Sequence, residues 1–352
     1  MSALERPKTT AAAIERVATV RRRATFRARV VNGVLIGALL LAFSFSLAFG
    51  ERIYSAAEVG RFLAGQPVPG AAFTIGELRL PRALLAILAG AAFALAGVTF
   101  QTLLRNPLAS PDIIGITNGA SVAALFMIIV VGASGLAVSA AAVAAGIGIA
   151  FAIYLLAARA GVVGTRLILI GIGVAAMANS ATLYLLSSAS RWDLQGAMRW
   201  LSGSLNLASW EDVAVLAIVS AVLFPAVLAL GQGLALLRLG DDQAAGLGVN
   251  VERSRRLLVL TTVALAAFAT AATGPITFVA FMSGPIAARL IGPRQQVLLP
   301  AGLIGALLVL SADLIGQFAF SNRYPVGVVT GVLGAPFLIY LMIRSQRVRG
   351  SI

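Results

Sequence analysis

Residues 78–121 read LRLPRALLAILAGAAFALAGVTFQTLLRNPLASPDIIGITNGAS. The centre of this stretch, Leu84–Leu104, carries no ionised side chain. Arg79 and Arg82 flank Pro81 at its start, and Arg105-Asn106-Pro107 closes its end. About 20 mainly apolar residues suffice to carry a helix across the hydrocarbon core of a bilayer. Pro107 cannot continue that helix, so the run predicts one membrane span with a defined stop.

The rest of the chain repeats the pattern. Of its 352 residues, 59% are hydrophobic and 11% charged, with a mean hydropathy of +0.96. A soluble domain carries roughly a quarter charged residues, so lipid must be the main solvent here. Val30–Phe49 and Ala137–Ala158 are further apolar runs. They are long and rich in Ala and Leu, without the alternation of about ten residues that marks a barrel strand. The expected class is therefore an all-α polytopic membrane protein of about ten transmembrane helices. The predicted spans are 30–49, 82–104, 113–131, 136–157, 166–187, 211–231, 257–273, 276–291, 298–318 and 326–343.

The net charge of +14 reflects placement in a membrane and not nucleic-acid binding. With both termini in the cytoplasm, cytoplasmic segments hold twenty of the 27 basic residues, as the positive-inside rule requires. Residues 1–29 form a basic cytoplasmic tail that can touch anionic lipid, and 346–352 form a short cytoplasmic tail. Between them, 30–345 is the membrane domain. Two outer segments are long. Residues 50–81 carry Pro67 and Pro69, which argue against one long helix, and 188–210 carries Trp192, Trp200 and Trp210, read as an interfacial belt. Small-residue pairs at four-residue spacing (Gly90/Ala94, Gly115/Gly119, Gly327/Gly331) let helices approach closely.

The absent chemistry is informative. There is no Cys or His, which removes the usual thiolate and imidazole ligands and the commonest general base. Lys8 is the one lysine, so no phosphate-binding G-x-x-x-x-G-K-[ST] loop exists. No covalently bound cofactor and no protein-held metal are expected. Apart from Glu211 and Asp212 at the very edge of one span, Asp313 is the one acidic residue placed within a span. It is either a functional group at membrane depth or a buried structural carboxylate bonded to a neighbouring helix or to Gln317.

Leu80-Pro81-Arg82, Gly97, Gln101, Arg105-Asn106-Pro107-Leu108-Ala109, Pro111 and Gly115 together resemble the FecCD family of ABC-importer permeases. Residues 239–250 (LGDDQAAGLGVN), 274–281 (GPITFVAF) and 325–338 (PVGVVTGVLGAPFL) extend the resemblance over about 30–345. It implies a type II ABC importer permease: ten helices per subunit, a second permease subunit forming a homo- or heterodimer, two ATPase subunits that use the ATP, and an extracytoplasmic substrate-binding protein. Within 232–256 it implies ATPase coupling through Leu239, Gly240, Asp241, Asp242, Ala244, Ala245, Leu247 and Gly248. It implies docking of the binding protein at Arg79 and Arg82, whose alternative is snorkelling at the interface. Thr99, Gln101, Asn179, Thr182 and Asp313 are candidate residues along the path.

Three positions depart from the family pattern. Ser283-Gly284-Pro285-Ile286 lacks the frequent His, Arg323-Tyr324-Pro325 replaces Glu-Leu-Pro, and Gln317 stands where Arg is common. The resemblance leans toward ferric-siderophore permeases of the enterobactin type, so the expected function is ATP-driven import of an iron chelate through the inner membrane. Haem or cobalamin import is the near alternative. A stand-alone secondary carrier is the alternative of another class, and a membrane enzyme or scaffold is disfavoured by the missing catalytic clusters.

Overall fold

The computed structural model describes residues 8–111, 115–158, 163–292 and 296–349. Arg6, Arg159 and Arg294, used in the charge count above, lie outside them. Fourteen helices follow in order: α1 (Lys8–Ala48), α2 (Ala56–Leu63), α3 (Leu80–Leu103), α4 (Ile116–Phe126), α5 (Leu136–Ala158), α6 (Val163–Ser188), α7 (Arg191–Leu201), α8 (Trp210–Ala229), α9 (Gly231–Leu237), α10 (Asp241–Gly246), α11 (Val251–Thr273), α12 (Val279–Ile291), α13 (Leu298–Phe318) and α14 (Val326–Arg349).

Eight of these segments are long and apolar enough to cross a membrane, and two more, Ile116–Val131 and Val279–Ile291, are apolar but shorter. Together they give the ten passages the sequence predicts, so the described bundle is a multi-pass membrane protein. α9 and α10 lie at the end where α3 stops, here the α10 end.

Two boundaries differ from expectation. α1 runs unbroken for 41 residues from Lys8, through the basic tail and the first span. At 1.5 Å per residue it is about 60 Å long, twice the hydrocarbon thickness. Its Arg27 donates to the carbonyls of Leu290 (2.7 Å) and Arg289 (3.1 Å), capping the end of α12. α3 in turn is preceded by a π-helical stretch, Ala72–Arg79, so the helix starts about ten residues before the predicted span. Pro81 has no N–H to donate, and the wider coil gives way to α-helix beside it. The short outer α2 opens with a capping box, Ser55 with Glu58, whose hydrogen bonds hold the Glu58 carboxyl below its ordinary range.

α3 is the buried axis. Ala86, Ala89, Ala92, Ala94 and Ala96 are fully covered, and α13, α11, α12 and α8 pack around them. Their small side chains are what allow close approach. A Cβ on Gly90 would collide with the backbone at Gly305 on α13, and one on Gly97 would collide with the Ala280 carbonyl on α12. The Gly90/Ala94 pair of the sequence thus becomes the α3–α13 seam. α12 is short because 274–278 is not helical: Gly274 and Phe278 take φ of 69° and 66°, and the Thr273 carbonyl leaves its helix to accept from Ser204 N–H at 2.8 Å.

Candidate functional site

α3 carries a polar cluster at each end, and most of the predicted site residues fall into one or the other. At the end opposite α10, Arg82 Nε and Nη2 donate to Asp313 Oδ2 and Oδ1, each at 2.8 Å. Gln317 Nε2 adds a bond of 2.7 Å to Oδ2. The planar guanidinium meets the carboxylate in a two-pronged match, the strongest geometry for such a pair. The side chains are 18% and 3% exposed, so the pair is largely withdrawn from water. Arg79 donates to the carbonyls of Leu47 (2.7 Å) and Arg52 (2.6 Å), tying down the end of α1, and stands over the Tyr54 ring. Both arginines line a cavity of about 420 Å³ together with the exposed Arg52 and Arg323, the latter paired with Glu51.

At the other end, Arg105 Nη2 donates to the Leu237 carbonyl (3.0 Å), where α9 stops, and to Asp241 Oδ1 (3.2 Å). Arg255 Nη2 reaches both oxygens of Asp241 at 3.0 and 2.8 Å. Asp241, the first residue of α10, is therefore held between the end of α3 and the start of α11. Gly240 (φ 120°) and Gly248 (φ 88°) bracket α10 in conformations that side chains disfavour. Nothing lies near either glycine, so backbone conformation and not space calls for glycine there. Ala244 is fully buried and seats the helix. Leu239 (54%) and Leu247 (61%) are exposed, as are Asp242 and Ala245. Two bare leucines flanking a short, anchored helix that carries an exposed acidic residue form a surface built for contact.

The candidate path residues separate. Thr99 is fully buried and donates to its own helix at Leu95 O, 2.8 Å away. Gln101 donates to the Phe281 carbonyl at 3.0 Å and borders a cavity of about 450 Å³ near α10, together with Arg105, Asn106, Arg238 and Pro285. Thr182 is buried on α6, whereas Asn179 is exposed there. Sequence reading missed the company Asn179 keeps. Met177, Ser180, Tyr184 and Ser187 are all exposed on α6 and recur at spacings of three and four, one face of a helix that also carries the exposed Leu169, with Asn179 to one side of it. The exposed side chains of α5 are, by contrast, all apolar. Three hydroxyl-bearing residues thus share one exposed face with apolar ones, a mixed stripe that α5 lacks.

Comparison with known proteins follows the same lines. The family model described as the FecCD transport family matches residues 38–344. The chain is 40% identical to the ferric enterobactin transport system permease protein of Escherichia coli (strain K12), over 89% of this chain and 96% of that protein. It is 40% identical to the achromobactin transport system permease protein of Dickeya dadantii (strain 3937), over 89% and 90% of the two chains. A solved inward-facing structure, described as of metal-chelate ABC transporter type, superimposes with a TM-score of 0.80 at 27% identity, covering 90% of this chain and 99% of its own. The ten passages packed around a glycine-seamed α3, the anchored α10 and these matches lead to one conclusion: the chain belongs to the FecCD transport family.

Proposed function

We propose that this chain is the permease subunit of an ABC importer that carries ferric siderophores inward through the cytoplasmic membrane, both termini being cytoplasmic. The observation that carries the reading is α10: a short, anchored helix flanked by exposed leucines in a chain that lacks any ATP-binding lysine loop. ATP is then hydrolysed by two separate subunits, each of which grips one α10 of a permease pair. The mixed stripe on α6 faces the second permease subunit across the path, where it offers a bulky chelate hydroxyl and amide groups among apolar ones. No metal ligand is needed, because the iron arrives already wrapped. An extracytoplasmic binding protein delivers it to the face opposite α10. There the cavity lined by Arg52, Arg79, Arg82 and Arg323 receives acidic side chains, with Arg52 and Arg323 meeting them first.

The anchoring of Asp241 gives a test that separates folding from coupling. Its ion pairs are partly exposed (50% for Arg105, 24% for Arg255 and 47% for Asp241), so each contributes about 1 kcal/mol or less. Asp241→Ala is expected to melt within a few degrees of the wild type. In the same variant, ATP-driven uptake of a ferric siderophore in proteoliposomes should drop about tenfold, because α10 no longer moves with α3 and α11. Gly248→Val, which forces a branched side chain into φ 88°, should do the same. Full uptake in both variants would remove α10 from the coupling role.

A further inference from the structure

Two cavities at the end opposite α10 form one groove. The first, about 340 Å³, lies beneath α7 and is bordered by Arg199, Trp200, Ser134 and Asp212. The second, about 390 Å³, runs between α5 and α8 over the surface of α11 and is almost entirely apolar. They share Ser139, Asp212, Ala271 and Ala272, so the polar mouth opens directly onto the apolar trough. The trough exists because its walls are small: Ala140 and Ala144 on α5, one turn apart, face Ala271 and Ala272 on α11. Its rims are exposed and apolar, with Leu136 on α5 and Val215 on α8; below them Ile218 and Val222 continue the α8 face. Such a face is solvated by acyl chains.

The mouth carries one charge of each sign. Arg199 is exposed and makes no ion pair among the described residues. Asp212 accepts from Ser209 N–H (3.3 Å) and Oγ–H (2.7 Å), both through Oδ2, which leaves Oδ1 to a ligand. A cation and an anion spaced across one small cavity, above a trough that opens to lipid, complement a zwitterion with a hydrocarbon tail.

We propose that this groove seats one phospholipid with a primary-ammonium headgroup, phosphatidylethanolamine, from the leaflet opposite α10. The phosphate meets the Arg199 guanidinium, the ammonium meets Asp212, and one acyl chain lies between α5 and α8. The lipid then holds α7 and the start of α8 against α11, at the base of the segment that faces the delivering partner. A choline headgroup keeps its positive charge but has no N–H to donate to Asp212, and a glycerol headgroup loses the cation altogether. An anionic headgroup places its extra charge beside that carboxylate.

The test uses the full chain reconstituted in vesicles of phosphatidylethanolamine, phosphatidylcholine and phosphatidylglycerol, re-extracted in mild detergent and weighed by native mass spectrometry. Wild type should keep one phosphatidylethanolamine per chain in preference to the other two lipids. Ala144→Trp, at an exposed position, fills the trough and should lower that retention about tenfold. Asp212→Asn keeps an oxygen for Ser209 and removes the charge. It should abolish the preference for phosphatidylethanolamine while the chain still melts as a folded protein, so the test stands even if the tryptophan variant folds poorly. Equal retention of all three lipids, retention unaffected by both variants, or a groove closed by a second copy of the chain with no lipid bound would overturn the assignment.

Discussion

Asp313→Ala is expected to cost the fold about 3 kcal/mol, one of the two largest stability losses we predict for a single substitution in this chain. The loss comes from what stays behind. With the carboxylate gone, Arg82 is held at 18% exposure with its charge uncompensated and two donors unmet, and removing one partner of a buried pair leaves the other's desolvation unanswered, at a cost of about 3–5 kcal/mol. The lower end applies because Arg82 keeps some contact with the adjoining cavity. The double replacement Arg82→Met with Asp313→Leu removes both charges and should recover most of the loss. Thermal melting of the wild type, Arg82→Met, Asp313→Leu and the double variant in one detergent reads the coupling between the two sites directly. Additive losses would show that the pair does not clamp α3 to α13.

Gly97→Ala should be nearly as damaging although it adds a single methyl group. The new Cβ would lie 2.7 Å from the Ala280 Cα and closer still to its carbonyl oxygen, and neither backbone can yield without parting α3 from α12. Overpacking of this kind costs about 1–3 kcal/mol, and Gly97→Leu should prevent assembly of the bundle. Gly37 on α1 is the control. Nothing lies within 4 Å of it, so Gly37→Ala should leave stability unchanged or raise it by up to about 1 kcal/mol through helix propensity. If both alanine variants melted alike, the seam would not be the close contact described.

These two positions show how much of the molecule is legible in the sequence. Residues 78–121 announce a span by hydropathy, and Gly90 and Ala94 announce a close-packed face by spacing, because both signals are local. The partner of that face is not local. Gly305 and Asp313 lie more than 200 residues further on, and no periodicity connects them to Gly90 and Arg82. Reading Arg82 and Asp313 separately gave Arg82 a docking role and left Asp313 open between a place on the path and a buried carboxylate bonded to a neighbouring helix or to Gln317; the fold adds that the two are a pair. The same limit hid Arg255 as a holder of Asp241 and the π-helical lead into α3, which no local preference encodes. α10 was legible through its glycines and its resemblance, and the α6 stripe could have been found by counting polar residues at spacings of three and four.

The departures at Gln317 and Arg323 acquire a physical sense in this setting. Gln317 donates to Asp313 without adding charge, and Arg323 pairs with Glu51 at the rim of the same cavity. Positive charge at this face is therefore carried by the loop after α1, the π-helical turn, the start of α3 and the loop before α14, while α13 contributes the carboxylate of Asp313.

Under the proposed function the bundle moves cargo only when a separate ATPase acts on α10. The most direct measurement is uptake of a radiolabelled ferric siderophore, with its binding protein outside, into vesicles that contain this chain with or without the ATPase subunits. Accumulation only with the ATPase present and ATP inside is the predicted result. Accumulation against a gradient by the chain without an ATPase would contradict it.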